Sequence, residues 1–305
     1  MSRAQKPKIR RSLVAVFIVA VVSVGLYAAD TPTAFLIALV PLTYTIPAFV
    51  WLDRLEPEPR AMRWNAFLWG AGVSTLVAGV ANEVTAATAG ASAALVGSAP
   101  LVEEAMKALG VLGAAKRRQI DTPLDGAVYA GYVGLGFAAV ENVIYFSDAI
   151  TEDELGFVFA LRGLFSPFAH PYFTLWVGLA IGTAVLKGRS RRFAALRGLV
   201  PAIVLHASWN ASGLNAVFAF LLLGHIVLFI MVVRRLRRMR RDEITYVRLR
   251  LPQLALAHNV SPVELEVYGD IRATRRLRRR LPRKERPAFD ERRLMLTKLA
   301  LQKQS

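Results

Sequence analysis

The sequence predicts an all-α protein: a multi-pass transmembrane helical bundle of about eight spans, followed by a basic cytoplasmic C-terminal tail. Three observations predict it. First, 54% of the 305 residues are hydrophobic and the mean hydropathy is +0.39, against roughly 45–50% apolar for a soluble chain on a broader count. Second, residues 12–233 hold nearly all the long apolar runs. Third, residues 234–305 hold 21 of the 39 Lys and Arg against eight Asp and Glu, and so carry +13 of the net +17. The chain thus reads as a membrane domain, residues 1–233, and a basic tail, residues 234–305.

A pI near 10.8 would point to nucleic acid in a soluble protein. Here the basic residues flank apolar spans. The expected partner is therefore the lipid bilayer, with anionic lipid at the tail and no nucleic acid. The absence of cysteine excludes disulfides, thiolate metal sites and a cysteine nucleophile. Residues 12–28 follow Lys8, Arg10 and Arg11. The run exceeds the usual signal-peptide core of about 7–15 residues, with no A-x-A site before Asp30, and is read as a retained first span.

A helix needs about 20 apolar residues to cross the hydrocarbon core. Runs of that kind lie at 12–29, 33–52, 65–85, 93–115, 124–147, 168–186, 196–213 and 214–233. Basic clusters follow every second one: Arg54, Arg60 and Arg63; Lys116, Arg117 and Arg118; Lys187, Arg189, Arg191 and Arg192; and the run from Arg234 to Arg241. The opposite loops hold Asp30 and the acidic Asp148, Glu152, Asp153 and Glu154. The positive-inside rule then places both termini in the cytoplasm of a cell-membrane protein. Residues 157–167 are too short to span and read as an interfacial or re-entrant piece ended by Pro167. In the tail, residues 244–268 suit a small ordered element, and 271–286 read as a basic lipid-facing or disordered stretch. No internal repeat is evident.

Within the spans sit Glu103, Glu104, Lys107, Glu141, His170, His206 and Asn210. One ionised group at the bilayer centre costs about 2.5–3.5 kcal/mol even on a lenient scale, so such groups face each other or a cavity and usually mark function. Glu103 and Lys107 are four apart and share a helix face, with Glu104 pointing away from it. At the rise of an α-helix, Glu103 lies about 20 Å from Lys116 and Glu141 about 24 Å from Asp125. His170 lies about 26 Å from Lys187, and Asn210 about 20 Å from Arg197. Four helices thus bring polar groups to one layer in the outer half of the bilayer.

Carboxylates beside imidazoles can activate water, protonate a leaving amine or hold a metal that does the activating. Asn210 can donate to an oxyanion, and Lys107 can keep Glu103 ionised. Blander readings compete. Glu103–Lys107 can be a structural ion pair, and His206 a hydrogen bond between helices. Gly178 and Gly182, with Gly131, Gly134 and Gly136, read as helix packing. Arg162 is expected to snorkel to the outer interface, with binding of a substrate carboxylate as the alternative. His225 and His258 have no polar company in the sequence and read as structural, and Trp209 as packing or an interfacial anchor.

Four segments carry a resemblance: Glu103-Glu104-Ala-Met-Lys107, Phe137-Ala-Ala-Val-Glu141-Asn142, His170 at the start of its span, and His206-Ala-Ser-Trp209-Asn210. Together they resemble the PrsW-type intramembrane proteases, relatives of the type II CAAX prenyl endopeptidases, over roughly residues 35–230. The resemblance implies peptide-bond hydrolysis in or beside the membrane, with Glu103, Glu104, Glu141, His170 and His206 as the active-site set. It also suggests membrane-protein substrates such as anti-sigma factors. The family is labelled metal-dependent, while the CAAX group can be read as using a glutamate-activated water. Without H-E-x-x-H, two His and a Glu still make a three-ligand open zinc site.

On this reading Glu103 or Glu104 activates water, Glu141, His170 and His206 bind a zinc ion or polarise the carbonyl, and Asn210 assists the oxyanion. Lys107 supports, and no organic cofactor is expected. The rival readings are a proton-coupled transporter built on the Glu/Lys/His groups and a non-catalytic scaffold. A transporter would show internal symmetry or paired broken helices, neither of which the sequence has.

Overall fold

The computed structural model describes residues 32–212 and 218–301, with six isolated positions between 14 and 25. The first expected span, 12–29, lies for the most part outside the described residues, as does the join at 213–214. Every described element is helical. In order they are α1 (Pro32–Leu52, with a turn at 39–41), α2 (Arg60–Ala89), α3 (Ala99–Lys116), α4 (Pro123–Thr151) and α5 (Leu155–Phe159). Then come α6 (Ala169–Leu186), α7 (Arg191–Ser212), α8 (Phe218–His258), α9 (Pro262–Tyr268), α10 (Ile271–Arg280) and α11 (Arg286–Leu301). Among the described residues three segments wind as π-helix: Gly70–Ser74 inside α2, Ala94–Ser98 just ahead of α3, and Ala160–Phe165 after α5.

Among the described residues, four helical stretches are long and apolar enough to cross a membrane: Pro32–Leu52, Arg60–Ala89, Pro123–Thr151 and Leu155–Leu186. The expected spans at 93–115 and 196–213 are not among them, nor is that at 214–233, which begins outside the described residues. For the first two the reason is chemical. α3 carries Glu103, Glu104 and Lys107, and α7 carries Arg197, His206 and Asn210.

The chain divides into two compact units, Met1–Phe49 with Glu58–Phe229, and Val50–Pro57 with Ile230–Ser305. In the first, α4 is the axis: it packs against α1, α2, α3 and α6, and α6 packs in turn on α7. Every residue of α4 from Leu124 to Ala138 is buried, as expected of a helix apolar all round. Its start is fixed by a capping box. The Thr122 hydroxyl accepts from Asp125 N, the Asp125 carboxylate accepts from Thr122 N at 2.8 Å, and Pro123 stands where no N–H is needed.

Glycines set how closely the helices approach. A Cβ on Gly126 or on Gly178 would overlap the other's carbonyl oxygen, so α4 and α6 touch backbone to backbone. A Cβ on Gly134 would run into the backbone of His170 and Pro171, which seats the first turn of α6 against α4. That seating points His170 at the middle of the bundle.

The second unit has its own core. Leu55, Val247, Leu251, Val260, Tyr268, Leu296 and Ala300 bury against one another. The stretch expected to be lipid-facing or disordered contains α10, a helix. Asp270 caps it by accepting from Arg272 N at 2.7 Å and Ala273 N at 3.2 Å. Hydrogen bonding from Arg292, at 2.9 Å, holds the Glu264 carboxyl below its ordinary pKa.

Candidate active site

Glu103 and Glu104 on α3, Glu141 on α4, His170 on α6 and His206 on α7 form one continuous chain of contacts. At its hub is Lys107, whose side chain is fully buried. Lys107 Nζ lies 2.6 Å from Glu104 Oε1, 3.5 Å from Glu103 Oε2 and 3.1 Å from His170 Nδ1, with the Phe137 ring centroid at 4.1 Å. The sequence paired Lys107 with Glu103 and turned Glu104 away; the closer partner is Glu104. A three-residue separation also shares a helix face, and Glu104 is held there by others. Thr174 Oγ1 donates to its Oε2 at 3.0 Å, and His206 Nδ1 meets its Oε1 at 3.0 Å.

These contacts fix both imidazole tautomers. An ammonium only donates, so His170 Nδ1 accepts from Lys107 and His170 Nε2–H donates to Glu141 Oε2 at 2.5 Å. A carboxylate only accepts, so His206 Nδ1 carries its proton towards Glu104 and Nε2 presents a lone pair. That lone pair looks across 3.8 Å at Glu103 Oε2. Glu103 Oε2 is buried and, among the described residues, accepts no hydrogen bond; its other oxygen accepts from Asn82 Nδ2 at 3.3 Å. Two acceptors thus face each other, an arrangement satisfied by a cation or by a water donating between them.

A cavity of about 710 Å³ opens on this point. Glu103, Glu141, His170, His206 and Asn210 line it, while Glu104 and Lys107 stand behind its wall. The Phe173 ring stacks on His206 with centroids 4.8 Å apart and planes at 16°, holding the imidazole's orientation. Glu103, His170 and His206 each offer a ligand atom within 4.8 Å of the others. The set expected from sequence had Glu141 in place of Glu103. Glu141 is instead engaged by His170 and by Arg162. For His170 to ligate a metal, it would exchange one of its two present partners.

Asn210 reaches the same cavity, but its Nδ2 donates to the Leu95 carbonyl at 2.8 Å, tying α7 to the π segment Ala94–Ser98. Arg162 does not snorkel. It turns inward from the π segment Ala160–Phe165 to an ion pair with Glu141, a 2.9 Å bond from Nε to Asn142 Oδ1, and the face of Tyr145 at 3.8 Å. A buried carboxylate offers a guanidinium more than the interface does. The sequence missed this role, and it also missed Asn82, Thr174 and Phe173. The available signal was one arginine inside the apolar run 157–165. His225, read as having no polar company, meets Ser208 Oγ at 3.1 Å.

Residues 58–235 match the family described as PrsW family intramembrane metalloprotease. Protease PrsW of Clostridioides difficile (strain 630) is 29% identical over 188 residues, which is 58% of this chain and 77% of that protein. Protease PrsW of Geobacillus kaustophilus (strain HTA426) is 28% identical over 163 residues, 52% of this chain and 69% of that protein. No solved structure matches the chain.

Proposed function

This chain belongs to the PrsW family of intramembrane metalloproteases, and we propose that it hydrolyses a peptide bond of a membrane-protein substrate in the cavity lined by Glu103. The observation that carries the reading is the pair of facing acceptors, Glu103 Oε2 and His206 Nε2, buried among helices on two residues that line that cavity. A water between them donates to Glu103 as its oxygen attacks the scissile carbonyl carbon. Glu103 then returns the proton to the leaving nitrogen as the C–N bond breaks. Glu104 acts behind the wall. It holds the Nδ1 proton of His206, so that Nε2 stays directed at the reacting centre. Arg162 and Glu141 orient His170 through its Nε2–H, while its Nδ1 stays with Lys107.

The donor set fits a metal: two imidazoles and a carboxylate within 4.8 Å, with the remaining nitrogen of His206 already held by a carboxylate. His170 and His206 would hold it, with Glu103 as third ligand if it serves the metal rather than the proton, and zinc as the proposed ion. A metal there would make a bound water more acidic and polarise the carbonyl. The test is metal content and cleavage of a single-span substrate by purified protein in detergent. His170→Ala and His206→Ala are expected to lose both together. Full metal occupancy and full cleavage in both variants would overturn the assignment. The proton-coupled carrier has no support from the comparisons.

The substrate class proposed is a single-span regulator of the anti-sigma-factor kind, on the family resemblance alone. The topology proposed is eight spans with both termini cytoplasmic and the reaction in the outer half of the bilayer, on the alternation of loop charge. A reporter fused after Arg241 is expected to read cytoplasmic and one at Glu152 external; an external signal at the C-terminal fusion would exclude eight spans. The exposed Arg275, Arg276, Arg279 and Arg280 of α10 suit an anionic lipid surface. Removing residues 271–305 should then lower the phosphatidylglycerol that co-purifies with the protein.

A further inference from the structure

A second cavity, of about 500 Å³, shares part of its wall with the first, at Leu95, Ser166, Phe173, Trp209 and Asn210. Its far side is apolar and aromatic. Tyr172 lies against Phe229 with ring centroids 5.8 Å apart and against His225 at 6.1 Å, and Trp209 lies against His225 at 5.4 Å. Leu222 of α8 adds to this wall.

Tyr44, Ser166, Asn210 and Ser212 also line it, and two further lining residues carry polar atoms without a partner among the described residues. The Tyr172 hydroxyl and His225 Nδ1 are buried and, among the described residues, have no hydrogen-bond partner. Both residues are more than nine-tenths buried, at 5% and 7% exposure. Their hydrogen-bonding sense can be read. Ser208 Oγ has one hydrogen, which goes to the Leu205 carbonyl at 2.9 Å. Towards His225 the serine oxygen therefore accepts, Nε2 carries the imidazole proton, and Nδ1 is an acceptor. The tyrosine hydroxyl has a hydrogen to give.

A peptide unit is the complement of that pair, with one N–H to give and one C=O to accept. A substrate helix inside a bilayer satisfies its backbone internally, and its peptide bonds are shielded until a turn unwinds. Unwinding frees N–H and C=O groups among apolar surroundings, so the enzyme has to supply their partners beside the reacting centre. The geometry points to the second cavity as the subsite for the unwound, apolar stretch of the substrate's membrane span next to the scissile bond. There Tyr172 donates to a freed carbonyl and His225 Nδ1 accepts from a freed amide. The inference rests on the proteolytic reading of the first cavity and names what that reading leaves open: the substrate is recognised in an unwound form. An acyl chain would fill the space but match neither polar atom.

The test uses the full chain carrying Glu103→Gln, purified in detergent, so that binding is read without turnover. The probes are two synthetic single-span peptides of leucine and alanine bearing a photoreactive leucine. One has a central Gly-Pro pair that weakens its helix, and the other has none. The Gly-Pro peptide is expected to cross-link to α8 within Leu222–Phe229. Adding Tyr172→Phe and His225→Leu should weaken its binding at least fivefold and leave the uninterrupted peptide's binding unchanged. Leu222→Trp, which fills the cavity from α8 with an apolar side chain, should remove the cross-link.

Equal weakening of both peptides would mean a packing role for Tyr172 and His225. Unchanged binding of both would mean that only water meets these atoms. Either result overturns the proposal. A wild-type chain that cuts neither peptide, while the cross-link and its dependence on Tyr172 and His225 persist, sinks the proteolytic reading and keeps this subsite. Cleavage with a cross-link elsewhere sinks the subsite alone.

Discussion

Glu103→Gln is expected to lower peptide cleavage by about 10²–10⁴-fold, the range for loss of a general base, while the protein still inserts and accumulates. Glutamine keeps the bond from Asn82 to the first oxygen position and removes the atom that takes a proton, so folding and chemistry separate. Metal content divides the two tasks open to this residue. Retained metal with no turnover makes Glu103 the proton acceptor; lost metal makes it a ligand. Glu104→Gln should behave differently. Its carboxylate stands behind the cavity wall and acts through the Nδ1 proton of His206, and losses at such orienting groups run to about 10–100-fold. Rate constants for the two variants side by side are the measurement. Equal loss in both, or full cleavage by Glu103→Gln, would remove Glu103 from the reacting centre.

The second large effect is on stability. Lys107→Met should destabilise the first unit by about 3–5 kcal/mol, the cost of breaking a buried ion pair by deleting one partner. Lys107 has no exposed surface and lies within 4 Å of two carboxylates and an imidazole. Methionine fills much the same space but leaves Glu104 without its cation. Thermal unfolding in detergent should show a lower midpoint and a lower yield of extracted protein. Lys107→Met/Glu104→Gln should recover part of the loss, because the charge left unpaired is then gone, and such coupling is what a double-mutant cycle reads. A single variant with the wild-type midpoint would show that Lys107 is not the hub. From the sequence Lys107 counted as a helper to one glutamate; the burial makes it the cation around which the layer is assembled.

The convergence of charged residues from four helices on one layer was legible because spacing along a helix is also depth along it. The glycine seams were legible in part: Gly134 and Gly178 read as packing positions and lie where two helix backbones meet, whereas Gly126, opposite Gly178, was not singled out. The ranking of Glu103 against Glu104 was not legible. The two are adjacent and chemically alike, and only the position of the cavity separates them. Arg162 announced itself as a charge in an apolar run, but a long side chain can turn to either side of a short helix, and its target lies 20 residues away in sequence. Nor does a change in hydropathy mark the end of a helix. α8 runs from Phe218 to His258 straight through the switch from apolar to arginine-rich sequence, since leucine and arginine are both good helix formers. Leu55 belongs to the core of the second unit through contacts nearly two hundred residues distant, which no local pattern records.

The three π segments also govern how the chain tolerates changes in length. A π turn holds a residue more than the α turn it replaces. Deleting one residue within Ala94–Ser98 can therefore relax that segment to an ordinary turn and leave Glu103 on its present face. Deleting a residue between Ala99 and Val102 has no such reserve: it rotates everything beyond it by about 100°, carrying Glu103 off the cavity. Gly70–Ser74 and Ala160–Phe165 give the same slack to α2 and to the segment that delivers Arg162. Single-residue gaps between this chain and its relatives should accordingly gather in these three segments, with the phase of the intervening helices kept.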